Sequence, residues 1–191
     1  MTLSPVTVHR LSPALKDDYL GFMDGPAFAD NPRWRGCYCQ FPHLDHRHVD
    51  WSARSADENR VDACARIAAG GMQGVLAYRG SEVVGWCNAA PRRLLDAFLD
   101  DPIPDADTVG QITCFVVAPG HRRTGVARAL LDAACQMLGE QGLRVAEAMP
   151  LAGTGNDAQQ HHGPLSLYQA AGFTPVRSLD DGRVVVRRAL P

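Results

Sequence analysis

Apolar positions along the first third of the chain predict one strand, two helices and a long segment without a period. Val6–Arg10 has the pattern of a strand, and Pro13 then begins a helix that runs to about Met23. Residues 25–52 follow no period and are rich in Pro, His, Cys and aromatic residues. Asp57–Ala69 predicts a second helix, which a pair of glycines ends.

The middle of the chain predicts a hairpin followed by a central strand. Gly74–Tyr78 and Glu82–Trp86 are strand-like runs, and the three residues between them include the glycine that a short hairpin loop needs. Residues 91–101 are compatible with a short helix, and residues 101–107 with a loop. The nearly continuous apolar run Gln111–Val117 is typical of a strand in the centre of a sheet.

The last third of the chain predicts a long helix, a strand, a short helix and a final pair of strands. Arg123–Leu138 repeats its apolar residues with the helical period, and Leu143–Met149 follows as a strand. A polar, glycine-rich loop leads to a short helix over Leu165–Ala171. The final strands are Phe173–Ser178 and Arg183–Arg188.

These elements predict one α/β domain of the α+β kind over residues 1–191, with a mixed, mostly antiparallel sheet flanked by helices. A formal charge of -2 gives no basic surface for a nucleic-acid partner. No apolar run suits a signal peptide or spans a bilayer, so we expect a cytoplasmic protein without a membrane partner. Its six cysteines are then expected to be thiols.

The stretch from Ala118 to Arg128 has the features of a phosphate-binding turn. Pro119 ends the preceding strand because proline has no N–H for the ladder. The free amides of the next helix and its dipole attract anions, and Gly125 lets a pyrophosphate approach the backbone closely. The turn also carries three arginines: Arg122, Arg123 and Arg128. The alternative is an ordinary strand-to-helix turn with a basic cap.

The pattern Arg122-x-x-Gly125-x-Ala127, placed after a strand that ends Val117-Ala118-Pro119, resembles the signature of the GNAT superfamily of N-acetyltransferases. The resemblance implies the GNAT fold, in which the central strands splay apart, and acetyl-CoA as the co-substrate. It also implies that the end of the strand pairs by backbone with the pantetheine arm, through Phe115, Val116 and Val117. The implied pyrophosphate site consists of Arg122, Arg123, Thr124, Gly125, Val126, Ala127 and Arg128.

A second stretch, Leu165 to Phe173, is similar to the C-terminal motif of the same family, with Tyr168 and Gly172-Phe173 in the matching places. The resemblance implies that Tyr168 protonates the departing coenzyme A thiolate. A phenol suits this step because its reference pKa of about 10 is close to that of a thiol. The alternative is that Tyr168 only packs on a short helix.

An amine nucleophile also needs a base, and Glu147 is the acidic residue of the strand Leu143–Met149. Its position resembles that of the base in related proteins, although a glutamate paired at the sheet is an equal alternative. The chain departs from the family in the loop after Pro150. There Asn156 is too far along the chain to take the role of the asparagine that binds the cofactor in many members.

The segment from Trp34 to His48 is rich in cysteine and histidine and invites a metal interpretation. The Cys37-x-Cys39 spacing argues against it, because it directs the thiols to opposite sides of an extended chain. We instead expect an acceptor pocket with aromatic walls, in which the cysteines only pack; the wall residues are Trp34, Tyr38, Phe41, Trp51 and Trp86. A branch of the family carries a similar Trp-x-x-Cys-x-Cys segment.

The sequence thus predicts an N-acetyltransferase that moves an acetyl or other acyl group from acetyl-CoA to a primary amine within a ternary complex. The acceptor would be a small-molecule or peptide amine, and the protein a monomer or homodimer. Two alternatives are a non-catalytic acyl-CoA-binding module and a metal-binding regulatory domain built on residues 37–48.

Overall fold

The computed structural model describes residues 4–153 and 161–191, which form one seven-stranded sheet with helices on both faces. The sheet order is β1-β2-β3-β4-β5-β7-β6. The strands are β1 Val6–Arg10, β2 Gly74–Arg79, β3 Glu82–Pro91, β4 Val109–Val117, β5 Val145–Ala148, β6 Thr174–Ser178 and β7 Val184–Ala189. The helices are α1 Lys16–Asp24, α2 Ala56–Ala68, α3 Val126–Glu140 and α4 Leu165–Ala170.

Neighbouring strands run antiparallel everywhere except at β4 and β5, which pair in parallel and are joined by α3. This arrangement confirms the predicted mixed, mostly antiparallel sheet with a single strand–helix–strand unit. The region 91–101 differs from its prediction, since it forms two 3-10 turns, Arg92–Leu94 and Asp96–Phe98, instead of one helix. The long helix begins later than predicted, at Val126.

Two apolar layers cover the sheet. One lies under α3 and α4, where Leu130, Leu138 and Tyr168 are fully buried against the middle strands. The other lies under α1 and α2, where Tyr19 meets Trp86 edge to face with ring centroids 5.0 Å apart. Because both faces of β3 and β4 are covered, these strands are apolar at nearly every position.

The parallel pair β4 and β5 separates halfway along β4. Its register ends at Ile112 opposite Ala148. The next residue, Thr113, has no partner in the register with β3, where Asn88 faces Cys114 and Ala89 faces Ile112. Thr113 is therefore the extra residue of a bulge, which bends a strand and locally disrupts its pairing. Beyond it, the edge of β4 that would face β5 opens into a cavity.

Candidate active site

An open cavity of about 1890 Å³ runs along the free edge of β4, from the turn before α3 to the aromatic segment near Trp34. Residues 111–117 form its floor. One end is lined by Arg123 and Gly125–Arg128, and the other by Trp34, Phe41, Trp51 and Phe98. The cavity therefore joins the predicted phosphate turn to the predicted acceptor region through the splayed strand.

The turn before α3 presents unoccupied backbone amides to this cavity. Gly125, the residue before the helix, adopts a left-handed conformation with φ of 86°, and nothing lies within 4 Å of the position its Cβ would take. Within the described residues, the N–H groups of residues 123–128 donate to no backbone acceptor. Free amides at a helix N-terminus, together with the helix dipole, make a site for phosphate.

Hydrogen bonds from outside the motif hold the turn in shape. The Thr124 hydroxyl donates to the carbonyl of His121 at 2.7 Å. Arg79 of β2 donates to the Thr124 hydroxyl at 2.9 Å and to its carbonyl at 3.1 Å. Arg79 is far from the motif in sequence, so its role could not be read from the local pattern.

Two of the three predicted arginines support the turn with their side chains. Arg122 forms an ion pair with Asp30 at 2.5 Å and donates from Nε to the Val117 carbonyl at 3.2 Å. Arg128 pairs with Asp132 at 2.8 Å and donates to a carbonyl of α4 at 3.0 Å. Arg123 has φ of 58°, a left-handed conformation that is rare for a residue with a side chain, and it lines the cavity.

Phe115 and Val117 expose their backbone groups at the free edge of β4, whereas Val116 does not. The Phe115 N–H donates across the open edge to the carbonyl of His161 at 2.5 Å. Since successive residues of a strand direct their N–H and C=O groups to opposite edges, Val116 faces β3, where it stands opposite Trp86. The prediction that Val116 pairs with the pantetheine arm is therefore wrong.

Tyr168 lies beside this edge but is fully buried and does not line the cavity. Its hydroxyl donates to the carbonyl of His162 at 2.7 Å, and its ring meets Phe115 edge to face at 6.2 Å. Burial raises the pKa of Tyr168 well above its ordinary value, so the phenol stays protonated. The hydroxyl is therefore in the protonated form that a proton donor needs.

The geometry contradicts the prediction that Glu147 is the base. Glu147 is 2% exposed and does not line the cavity. One of its carboxylate oxygens accepts from Arg92 at 2.9 Å and the other from Arg187 at 2.6 Å. To take a proton, this carboxylate would have to break its ion pairs with two guanidinium groups. Glu147 therefore anchors β5 to its neighbours.

The five predicted acceptor residues divide between cavity and core. Trp34 lines the cavity, with its ring 4.6 Å from that of His161. Trp86 is fully buried under α1, and Tyr38 is 6% exposed with its hydroxyl donating to Asp24 at 2.5 Å. Neither of them lines the cavity, so both predictions are wrong. Phe41 and Trp51 line the cavity beside Trp34, and their rings meet edge to face at 5.3 Å.

The cysteines of residues 37–39 belong to the wall of the cavity. All six cysteines are free thiols, and the Cys39 thiol contacts that of Cys114 on β4. His43 is buried, and desolvation lowers its pKa to about 4. Within residues 4–153 and 161–191, no group of three or more His, Cys, Asp or Glu side chains could hold a metal ion. Asn156 lies outside the described residues.

Solved structures that share this fold include acetyltransferases. An N-acetyltransferase of Staphylococcus aureus aligns over 98% of this chain and 100% of its own, with TM-score 0.62 and 14% identity. The Salmonella typhimurium protein yncA, solved with its cofactor acetyl-CoA, aligns over 97% and 94%, with TM-score 0.54 and 16% identity. The PaiA N-acetyltransferase of Thermoplasma acidophilum, solved with coenzyme A, aligns over 97% and 99%, with TM-score 0.56 and 10% identity.

The family model described as "Acetyltransferase (GNAT) family" matches residues 33–173, which include the turn and Tyr168. This chain belongs to the GNAT acetyltransferase family. No curated protein matches the sequence significantly. Among the described residues, no helix has the length and apolar character needed to cross a membrane.

Proposed function

We propose that this protein is an N-acetyltransferase that transfers an acetyl group from acetyl-CoA to a primary amine. The observation that carries the proposal is the continuity between the open edge of β4 and the unoccupied amides before α3. A ligand with an amide-containing arm and a pyrophosphate fits both parts of that surface. Coenzyme A has both, and two GNAT-fold neighbours were solved with it or its acetyl form.

In the proposed complex, the pantetheine arm lies along β4 and pairs with the Phe115 carbonyl and the Val117 N–H. The pyrophosphate lies on the free amides of residues 123–128, with Gly125 allowing its close approach. The Phe115 N–H then points at the thioester carbonyl, where negative charge develops during attack. A fixed N–H donor at this point stabilises the transition state.

The proposed reaction is a direct displacement. The amine nitrogen bonds to the thioester carbon, the carbon–sulfur bond breaks, and its electron pair leaves with sulfur. Tyr168 donates its hydroxyl proton to that thiolate. We assign the proton lost by the amine to water in the open cavity, because Glu147 is committed to Arg92 and Arg187.

The acceptor would enter at the aromatic end of the cavity, past Trp34, Phe41 and Trp51. Two charged groups that line this end are already paired. Arg54 donates to Asn59 at 2.7 Å and to Asp62 at 2.5 Å, and Asp101 accepts from Arg92 at 2.8 Å. A small-molecule or peptide amine with an apolar body fits these walls.

The cofactor assignment can be tested with two glutamates placed at matched glycines. Gly125 and Gly142 both have left-handed φ values, 86° and 83°, and both have open space at the Cβ position. Gly125→Glu puts a negative charge against the pyrophosphate, while Gly142→Glu imposes the same backbone strain at the other end of α3. Calorimetric titration should show acetyl-CoA binding lost only in Gly125→Glu. Equal affinity in the two variants would mean that the turn is misassigned.

A non-catalytic acyl-CoA-binding module is the second candidate, and one observation favours it. Both groups that the chemistry needs, the Phe115 N–H and the Tyr168 hydroxyl, are hydrogen-bonded within the protein. Thiol release from acetyl-CoA with a panel of amines separates the two functions. Release that depends on the amine supports the enzyme, and intact binding without release supports the module.

A further inference from the structure

We propose that residues 161–163 are an internal competitor of acyl-CoA: they occupy the thioester end of the β4 edge, and the cofactor must displace them to free Tyr168. This inference rests on the proposed function and adds a conformational step to it.

The competing segment is held by three hydrogen bonds in the place assigned to the thioester. The carbonyl of His161 accepts from the Phe115 N–H at 2.5 Å. The His162 ring donates from Nδ1 to the Thr113 carbonyl at 2.7 Å, and the His162 carbonyl accepts from the Tyr168 hydroxyl at 2.7 Å. One N–H cannot serve two carbonyls well at once, so the His161 carbonyl and a thioester carbonyl exclude each other at Phe115.

The same segment also separates Tyr168 from the cavity. His161, His162 and Gly163 line the cavity, whereas Tyr168 does not. A Cβ at Gly163 would lie 3.0 Å from Cε2 of Tyr168 and 3.4 Å from Cδ2 of Phe115. The backbone at residue 163 thus lies beside the rings of Tyr168 and Phe115, and the same Cβ would lie 3.4 Å from the Tyr168 hydroxyl. Tyr168 can reach a sulfur atom in the cavity only when this backbone moves.

The docked conformation of residues 161–163 requires a glycine at position 163. Its φ is 80°, which is unfavourable for any residue with a side chain, and the space for a Cβ is already short. A side chain at this position would weaken the docked state in two ways. Acyl-CoA binding has no such requirement, because the docked backbone is then displaced.

The His162 ring is the side-chain tether of the segment. A carbonyl can only accept, so Nδ1 must carry the proton in the bond to Thr113. The ring is neutral because desolvation, aided by the nearby His161, lowers its pKa to about 4. The charged groups that face it are Arg183, which lowers the pKa further, and Asp181, which raises it.

Displacement of residues 161–163 by acetyl-CoA should move His161 away from Trp34. The fluorescence of Trp34 can report this movement in the wild-type protein. The two rings lie 4.6 Å apart in the docked state. Saturating acetyl-CoA should therefore change the tryptophan emission, and the change should disappear in Trp34→Phe. Acetyl-CoA that binds without any Trp34-dependent change would overturn the proposal, and this test needs no variant of the segment itself.

Calorimetry can compare the acetyl-CoA affinity of the wild-type protein with that of three variants: His162→Ala, Gly163→Ala and Gly142→Ala. The His162→Ala variant loses one hydrogen bond of the docked segment. It should therefore bind acetyl-CoA about fivefold more tightly than wild type. Gly163→Ala should tighten it at least as much. Gly142→Ala carries the same backbone strain on the far side of the molecule and should match wild type.

Tighter binding in both segment variants supports the competition, and binding no tighter than wild type in either overturns it. The proposed function fails separately. If wild type binds no acetyl-CoA at all, the cofactor assignment is wrong; if wild type binds and the variants are no tighter, only the competition is wrong.

Discussion

The two ends of the β4 edge differ in whether their hydrogen-bonding groups are already paired within the protein. At the proposed phosphate end, the amides of residues 123–128 donate to no backbone acceptor among residues 4–153 and 161–191, and Arg79 donates to Thr124 of the turn. At the thioester end, Phe115 and Tyr168 are already bonded to residues 161 and 162. We infer from this difference that the preformed phosphate end supplies most of the cofactor affinity. At the thioester end, the cofactor must displace residues 161–163 before the reaction can occur. An acyl-CoA would first bind by its phosphates and then compete for β4.

The largest expected effect is at the thioester end of the β4 edge, where residues 161–163 are docked. Tyr168→Phe removes the proposed acid and should lower turnover about 100- to 1000-fold. The same change removes the hydroxyl that holds the His162 carbonyl, so acetyl-CoA affinity should hold or improve. Steady-state kinetics and calorimetry on the same preparation check both. An unchanged rate would remove Tyr168 from the acid role, and a parallel loss of affinity would place it at the anchor instead.

The next prediction tests whether Glu147, which lies outside both ends of the β4 edge, has a structural role only. Glu147→Ala leaves the buried guanidinium of Arg92 and the half-buried one of Arg187 without this carboxylate, which should lower the free energy of unfolding by about 3 kcal/mol. Denaturant unfolding measures the loss. The folded fraction should keep the wild-type pH dependence of turnover. A stable variant that loses the acidic limb of its pH–rate profile would restore Glu147 as the base.

The smallest expected effect is a pH dependence confined to the occupied end. The docked His162 has a pKa of about 4, while a released ring titrates near 6.5. Acid therefore protonates the released ring first, so docking is at full strength above about pH 6.5 and weakens as the pH falls towards 4.

Between pH 7.5 and 5.5, acetyl-CoA binding should then tighten in wild type by up to about tenfold relative to His162→Ala. The ratio of the two proteins cancels the titration of the cofactor's own phosphates. A ratio that does not change with pH would show that His162 does not tether the segment.

The sequence prediction of a phosphate-binding turn before α3 depends on local determinants. Pro119, which follows the apolar run, and Gly125 lie close together in the sequence. Proline ends a strand because it has no N–H, and glycine permits a left-handed backbone conformation. Asp30 and Arg79, which hold the turn, gave no such signal, because they come from distant segments that only the fold brings together.

The occupied end was not predictable in the same way. Residues 161–163 follow a polar loop without a period, so nothing local indicated that they would lie on β4. Glu147 was misassigned because its partners, Arg92 and Arg187, are 55 and 40 residues away in sequence. Trp86 was misassigned because an aromatic residue in a strand looks the same whether it faces a pocket or a covered core.

The most direct measurement is a crystal structure of the protein with acetyl-CoA. We expect the pyrophosphate on the amides of residues 123–128 and the thioester carbonyl on the Phe115 N–H. The Tyr168 hydroxyl should donate to the sulfur and no longer to the His162 carbonyl. A cofactor bound away from β4, or one bound there while His161 still accepts from Phe115, would contradict it.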